Sequence, residues 1–464
     1  MAVNKNRIKF VCASCGAEAP RWMGRCPVCG EWNTMQEIQE RPASAAIRPL
    51  ASIQGASSPR KLSAIQVGNE GRICLHMPEI DRPLGGGLVY GSVILLGGEP
   101  GIGKSTLVFQ LCQAVCQLQK QVLYCSGEES DIQIKLRAER LHIDEEQCFV
   151  MTGADLHEVL TEAKKIKPAL LIIDSIQTMY LGENSSPMGS PAQIRDCTAL
   201  LVRLAKEENI TVLIIGHVTK EGNLAGPRLL EHMVDVVLYL EGDRSYQFRV
   251  LRTVKNRFGS TAETGLFMMG SEGLRQIQNP SAYLLQRHIV EMAGSITAAC
   301  LEGQRALLAE IQALSVHSVL AVPRRISVGY DYNRLIVLLA VLEKRARVPF
   351  SQEDVYINVA GGFKIRETAA DLAAALAVVS VKWDCPVPRS LTALGEVGLT
   401  GEILPVSHVG LRLREALKMK INHFILPEGN KHEAELFFKR QQEGNIQVQY
   451  VGRLEEALSV LKNH

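Results

Sequence analysis

"SVILLGGEPGIGKST", residues 92–106, runs from an apolar strand through a glycine-rich turn into the start of a helix. From Gly98 it fits the pattern G-x4-G-K-[ST]. Such glycines let backbone N–H groups wrap phosphate oxygens, Lys104 reaches the β and γ oxygens, and Ser105 is placed to ligate magnesium. Gly98, Glu99, Pro100, Gly101, Ile102, Gly103, Lys104, Ser105 and Thr106 are therefore read as an ATP-binding loop with Mg2+ as cofactor. The helix that the pattern needs follows at once in "STLVFQLCQAVCQLQ" (105–119).

Outward from this loop, residues 70–275 alternate short apolar runs with amphipathic segments of helix length. The runs include "QVLYCSG" (121–127), "ALLIID" (169–174), "ITVLIIGHV" (210–218) and "DVVLYLEG" (235–242). Near-continuous apolar runs separated by helices imply an α/β domain whose parallel sheet is buried on both faces. Asp174, at the end of one run, is suited to holding the magnesium directly or through water. In "YCSGEES" a carboxylate of Glu128 or Glu129 can orient and deprotonate an attacking water. Capping and dipole compensation for a helix starting near Ser130 is the other use of such glutamates, and one of the pair can do each job. His217, at the end of a further strand, is placed either to sense the γ-phosphate or simply to serve the structure.

A different signal lies in "VKNRFG" (254–259). The run "YQFRVLRTV" (246–254) alternates like a half-buried strand, and Lys255 and Arg257 then flank Asn256 on a tight turn. Two cations fixed there need an anion to face.

Four of the twelve cysteines lie within residues 1–34, as "CASC" (12–15) and "CPVC" (26–29). Each pair forms a knuckle whose thiolates converge on one ion, so Cys12, Cys15, Cys26 and Cys29 make a closed, structural zinc site. Trp22, with Arg21 and Arg25 between the knuckles, either contacts a partner or nucleic acid or packs over a tiny core. Residues 35–69 read as a flexible linker, basic from 41 to 61, where four cations meet no acid. Residues 276–464 mix strands with long Ala/Leu helices and read as a second α/β domain. A net charge of +2 puts any nucleic-acid contact in local patches. No apolar run is long enough for a membrane span, and "MAVNKNRIKF" lacks the apolar stretch of a signal peptide, so a cytoplasmic protein is expected.

Together these residues resemble the RecA/DnaB branch of phosphate-loop ATPases, whose subunits form rings or filaments with the nucleotide between them. The paired knuckles, "GEPGIGKST", "KNRFG" (255–259) and the C-terminal segment resemble, over essentially the whole chain, the RadA (Sms) family of bacterial DNA-repair ATPases. The resemblance implies a RecA-like core and a homo-hexamer. It also implies action on single-stranded and branched DNA alongside the RecA recombinase, with nucleoid association when DNA is bound. Lys104, Glu128, Asp174, His217, Lys255 and Arg257 then form the catalytic set, with Glu128 favoured over Glu129. Lys255 and Arg257 serve a neighbouring subunit's ATP, the DNA, or the coupling between them. Loops 182–195 and 219–230 are expected to face the ring's channel, where Arg195, Lys220 and Arg228 track a phosphate backbone.

From about 285 onward the chain is similar to the proteolytic domain of Lon, with "GEVGLTGEILPV" (395–406) as its marker. Laid on the Lon pattern, Ala369 takes the place of the catalytic serine and Arg412 that of the lysine. Alanine cannot attack and arginine cannot act as a base. This implies a ring-holding scaffold rather than a peptidase. An ATP-driven assembly switch without motor activity, and an ATP-dependent protease, remain the alternative readings.

Overall fold

The computed structural model describes residues 8–12, 17–19, 21–39, 71–141, 143, 146–182, 186–216, 229–242, 248–285, 291–441 and 445–462. Two compact units emerge: Met1–Glu241 with Arg249–Thr261 and Met269–Gln276, and Ile277–His464 with Gly242–Phe248 and Ala262–Met268.

Within the first unit, the N-terminal module is a three-stranded antiparallel sheet of β1 (Ile8–Cys12), β2 (Glu18–Ala19) and β3 (Met35–Gln39), in the order β2-β1-β3. β3 takes residues that the sequence assigns to the linker. It belongs to the module because Met35 is buried with Cys12, Ala19 and Cys26.

Next come β4 (Arg72–Ile73), α1 (Pro78–Leu84), β5 (Leu88–Val89), β6 (Val93–Gly98), α2 (Lys104–Gln117), β7 (Val122–Ser126), α3 (Asp131–Arg140), β8 (Cys148–Thr152) and α4 (Leu156–Ile166). They are followed by β9 (Leu170–Asp174), α5 (Pro191–Glu208), β10 (Thr211–Ile215), α6 (Leu229–Met233), β11 (Val236–Gly242), β12 (Phe248–Asn256), β13 (Thr264–Gly270) and β14 (Gly273–Gln276). The sheet order is β14-β13-β12-β11-β6-β10-β9-β7-β8. Strands β11, β6, β10, β9, β7 and β8 pair in parallel. β12 to β14 follow through connections too short for a parallel crossover, so the sheet is mixed rather than purely parallel.

β6 shows why the apolar runs are unbroken. Val93 and Leu95 point into a cluster with Leu156, Val159, Leu201 and Leu204 of α4 and α5. Ile94 and Leu96 face Ile80, Leu84, Leu107 and Leu111 of α1 and α2. A strand alternates its side chains, and here both faces are covered. Burying each such side chain contributes about 1.5–3 kcal/mol.

The second unit carries α7 (Pro280–Leu284), β15 (Ser295–Glu302), β16 (Arg305–His317), β17 (Arg325–Val328), α8 (Tyr332–Lys344), β18 (Glu353–Val359), α9 (Asp371–Trp383) and β19 (Leu391–Ala393). Then come β20 (Glu396–Val397), β21 (Ile403–Leu404), α10 (Val409–Lys418), β22 (His423–Pro427), α11 (Lys431–Arg440), β23 (Gln447–Val451) and α12 (Leu454–Lys462). Its main sheet has the order β17-β18-β16-β15-β19-β22-β23. The alanine-rich α9 is buried from Asp371 to Ser380 and packs on β15 and β16.

Ala369 sits in a buried turn just before α9. Arg412, on α10, has no exposed side-chain surface. Its guanidinium donates to both Glu367 carboxylate oxygens at 2.6 Å and to the carbonyls of Ala299 (2.7 Å) and Ser407 (3.0 Å). A bidentate pair thus fills this position with no basic nitrogen to spare. Glu367→Ala strands a buried cation and is expected to cost about 3–5 kcal/mol. The apolar double swap Glu367→Leu/Arg412→Met removes both charges and is expected to cost less, its remaining cost being the unpaired Ala299 carbonyl and Leu301 N–H. Urea unfolding of the full chain, followed by circular dichroism, separates the two outcomes.

Candidate nucleotide site and the KNRFG cluster

Because β6, β7, β9 and β10 run parallel, their carboxyl ends reach one edge of the sheet, where open α/β sheets bind ligands. Register sets the alignment: Ser126 lies opposite Asp174, and Leu96 opposite Ile215. Gly98 leaves the sheet there. A Cβ on it would stand 2.7 Å from the Leu240 carbonyl oxygen, which only glycine avoids. Lys104 is buried and donates from Nζ to the carbonyls of Gly98 (2.8 Å) and Glu99 (3.0 Å). Burial pushes its pKa down, against the pull of Asp174 and Glu128. Arg249 of β12, also buried, donates from Nε to the Ile102 carbonyl at 3.2 Å and ties the loop to that strand.

Asp174 is buried too. The Tyr124 hydroxyl donates to its Oδ2 at 2.5 Å, the Tyr124 ring stacks on Phe109, and the Ser105 hydroxyl bonds the same carboxylate. Burial raises the Asp174 pKa, and the hydrogen bond from Tyr124 works against that rise. Ser105 and Asp174 offer hard oxygen donors, the chemistry that magnesium takes.

The two glutamates have separate surroundings. Glu129 pairs with Arg137 of α3 at 2.5 Å. Glu128 accepts from the Ser175 hydroxyl at 2.6 Å, next to Asp174, and acts electrostatically on Lys104. Neither caps α3. Ser130 and Gln133 form the capping box, which leaves the glutamates free of that duty.

Strand β12 extends through Asn256, so Lys255 lies on the strand and not, as expected, on the turn. Asn256, Phe258 and Gly259 build the turn. The Phe258 N–H donates to Asn256 Oδ1 (2.8 Å), Asn256 Nδ2 to the Pro83 carbonyl (3.1 Å), and Arg72 to the Phe258 carbonyl (2.7 Å). A Cβ on Gly259 would lie 2.9 Å from the Gly85 Cα, so two glycine backbones touch. The cations are held separately. Lys255 Nζ donates to the carbonyls of Glu231 (2.7 Å), His232 (3.3 Å) and Val234 (2.8 Å), at the end of α6. Burial, then the neighbouring Arg257, push its pKa down. Arg257 pairs with Asp235 at 3.2 Å, and Asp235 also accepts from Lys206 and from the Val93 N–H at the start of β6. The cluster and the phosphate loop therefore lie at opposite ends of β6, roughly 16 Å apart along the strand.

His217, Lys220 and Arg228 lie outside the described residues. Arg195 is not on a loop as expected. Pro191 opens α5 behind the Ser190 cap, which places Arg195 in the helix, exposed and paired with Asp196 at 3.2 Å.

In the N-terminal module the Sγ atoms of Cys12, Cys26 and Cys29 lie within 4.8 Å of one another, with Cys12 and Cys29 at 3.6 Å. Tetrahedral zinc with bonds of about 2.3 Å sets sulfurs about 3.8 Å apart, so these thiols fit it. Cys15 lies outside the described residues.

Sequence reading passed over Tyr124, Arg249, Asp235 and the Gly85–Gly87 run. The triple glycine was the one local signal, since all three residues have positive φ.

A family model described as AAA domain matches residues 70–223, one described as rubredoxin metal binding domain matches 10–37, and one described as Lon protease (S16) C-terminal proteolytic domain matches 338–463. The DNA repair protein RadA of Bacillus subtilis (strain 168) is 46% identical over 428 residues, covering 92% of this chain and 93% of that protein. The RadA proteins of Pseudomonas aeruginosa and Escherichia coli (strain K12) are each 43% identical, covering 98% and 97% of this chain and 99% and 97% of their own. The fold is thus an α/β ATPase core with an N-terminal zinc ribbon and a C-terminal Lon-type domain. Chelation is expected to release zinc stoichiometrically and unfold residues 8–39 alone. A colorimetric zinc assay beside thermal melting checks this.

Proposed function

The chain belongs to the RadA family of DNA repair proteins, and on that premise we propose that it is a DNA-dependent ATPase working as a hexameric ring on single-stranded DNA. In this reading it drives branch migration of recombination intermediates together with the RecA recombinase, in the cytoplasm and at the nucleoid. The domains proposed are a zinc module (1–34, to which β3 adds Met35–Gln39), a linker over the rest of 35–69, a RecA-like ATPase (70–275) and a Lon-like scaffold (276–464).

One observation carries the reading. The Lys255 and Arg257 cluster sits at the far end of β6 from the phosphate loop of its own chain. A lysine or arginine side chain cannot cross that separation, so cations of this motif act on an anion outside their own nucleotide site. In a ring, that anion is the triphosphate of the next subunit or the DNA in the channel. A Lon-type domain, whose resemblance implies a ring-holding scaffold, suits this assembly.

In the reaction, Glu128 takes a proton from water as the oxygen attacks the γ-phosphorus and ADP departs. Lys104 and the loop N–H groups hold the phosphates in line, and cations from the neighbour offset the charge that builds on the γ oxygens. Ser105 and Asp174 would hold magnesium, which would supply positive charge against the phosphate oxygens. Tyr124 keeps the Asp174 carboxylate turned toward Ser105. The absence of a nucleophile at Ala369, and the engaged Arg412, support a C-terminal domain without peptidase activity. No helix among the described residues is long and apolar enough to cross a membrane.

Lys104→Ala is expected to abolish ATP turnover. Glu128→Gln should lower it about 10²- to 10⁴-fold, with Glu129→Gln retaining most of it, in a coupled ATPase assay. A mixing experiment tests action between subunits. Rings formed from equal amounts of Glu128→Gln and Lys255→Ala chains contain about a quarter of interfaces with both groups intact. Turnover by the mixture well above either variant alone is the expected result. Turnover that never exceeds them would remove Lys255 from the neighbour's triphosphate and leave the DNA as the anion of this motif.

A further inference from the structure

Two serines hold Glu128, one at its backbone and one at its carboxylate. The Glu128 N–H donates to Ser126 Oγ at 3.2 Å, and the Glu129 N–H donates to the same oxygen at 3.1 Å. The Glu128 carboxylate accepts from the Ser175 hydroxyl at 2.6 Å. Ser126 and Ser175 are buried, 1% and 0% exposed, whereas Glu128 itself is exposed. A glutamate at a surface ordinarily moves among many rotamers, and fixing one of them costs entropy. Here a buried hydroxyl reaches outward to fix it.

Its choice of acceptor sets Ser175 apart. Most side-chain hydrogen bonds go to the backbone or to water. Two threonines of the same unit do so: Thr178 Oγ1 donates to the Ser175 carbonyl at 2.8 Å, and Thr198 Oγ1 to the Ile194 carbonyl at 2.7 Å. Ser175 instead spans from the end of β9 to the turn after β7, between residues 47 apart in sequence. A hydroxyl that donates to an ionised carboxylate makes one of the shorter and stronger hydrogen bonds, and this one has the length expected of that class.

The support beneath the bond is rigid. The Gly127 N–H donates to the Asp174 carbonyl at 3.0 Å, and a Cβ on Gly127 would collide with Thr178 Oγ1, so the turns after β7 and β9 lie directly against each other. Asp174 and Ser175 are consecutive residues. Tyr124 and Ser105 fix the Asp174 carboxylate, and Ser175 fixes that of Glu128. One peptide unit at the end of β9 therefore ties the position of the base to that of the residue suited to the metal. The Glu129 carboxylate is turned instead to Arg137 on α3.

We propose that Ser175 is the positioning residue for the base, its hydroxyl holding Glu128 in the rotamer from which the carboxylate meets the attacking water. The inference rests on the reading of Glu128 as that base. A carboxylate has about four acceptor positions, so it can accept from the serine and from a water together. The serine proton stays on Ser175 throughout. The water proton passes to Glu128 as the new oxygen–phosphorus bond forms and the bond to ADP breaks. Without the hydroxyl the carboxylate visits its other rotamers, and the geometry for attack is met for only part of the time.

The test uses the full-length protein with magnesium, single-stranded DNA and radiolabelled ATP. Single turnovers with enzyme in excess keep slow variants readable, and a fluorescent ATP analogue reports nucleotide affinity. Ser175→Ala is expected to slow hydrolysis about tenfold to a hundredfold, with nucleotide affinity and KM unchanged. The double variant Glu128→Gln/Ser175→Ala separates positioning from structural support. It should be no slower than Glu128→Gln alone, because a hydroxyl that acts through the base has nothing left to orient. An equal loss from Ser175→Ala in both backgrounds overturns the proposal and makes Ser175 a structural residue. So does a Ser175→Ala chain that has lost nucleotide affinity, or one that hydrolyses like wild type while Glu128→Gln is impaired. Failure of the underlying reading looks different: Glu128→Gln would itself hydrolyse ATP like wild type, and the role of Ser175 would fall with that of Glu128.

Discussion

Strand β6 is covered on both faces, so any chemistry it supports is confined to its two ends. At one end the backbone must pass the Leu240 carbonyl and turn into α2, which requires glycine at position 98. At the other, the Val93 N–H is held by the Asp235 carboxylate, and through Asp235 by Lys206 and Arg257. The nucleotide loop and the KNRFG cluster are therefore products of one buried strand. Neither can shift along it without breaking the register of β6 with β10 and β11.

Electrostatics at the two ends follow from how much water each retains. Around the phosphate loop, burial works against charge on both Lys104 and Asp174, depressing the first pKa and raising the second. The pull of Asp174 on Lys104, and the Tyr124 and Ser105 hydrogen bonds to Asp174, work against those shifts. In the proposed reaction a triphosphate and magnesium would bring opposite charges into that same low-dielectric pocket, where they would count for more than in water. The KNRFG end is wetter: Arg257 is more than half exposed. Its cations rest on carbonyl oxygens and one carboxylate, partners that an incoming phosphate can replace.

Much of this was legible in the sequence, for reasons that particular residues make clear. The phosphate loop and the knuckle cysteines Cys12, Cys26 and Cys29 follow local patterns of spacing. Asp174 reads from sequence only as a carboxylate at a strand end, and sheet register brings it to the loop. The roles of Glu128 and Glu129 could not be divided that way, because the deciding partners, Ser175 and Arg137, lie 47 and eight residues further along the chain. Tyr124 reads as one more apolar strand residue until the sheet sets Ser126 opposite Asp174. Arg195 was assigned to a loop because glycines and prolines dominate the stretch before it. Pro191 in fact begins α5, where proline's missing N–H costs nothing. In the C-terminal unit, Arg412 could be read as unable to serve as a base, yet its bidentate hold on Glu367 is a matter of fold alone.

β12 has a mechanical character as well as a chemical one. Arg249 near its start grips the phosphate loop at Ile102, and Lys255 near its end grips the carbonyls at the end of α6. Between them the backbone is already extended, and an extended chain has almost no length left to give. Such a strand behaves as a stiff rod: a pull at the Ile102 end reaches the α6 end as displacement and is not absorbed as stretch. Softness must then reside in the joints at the rod's ends, where the Arg249 bond to Ile102 and the three that Lys255 makes set the load that can be passed before they let go.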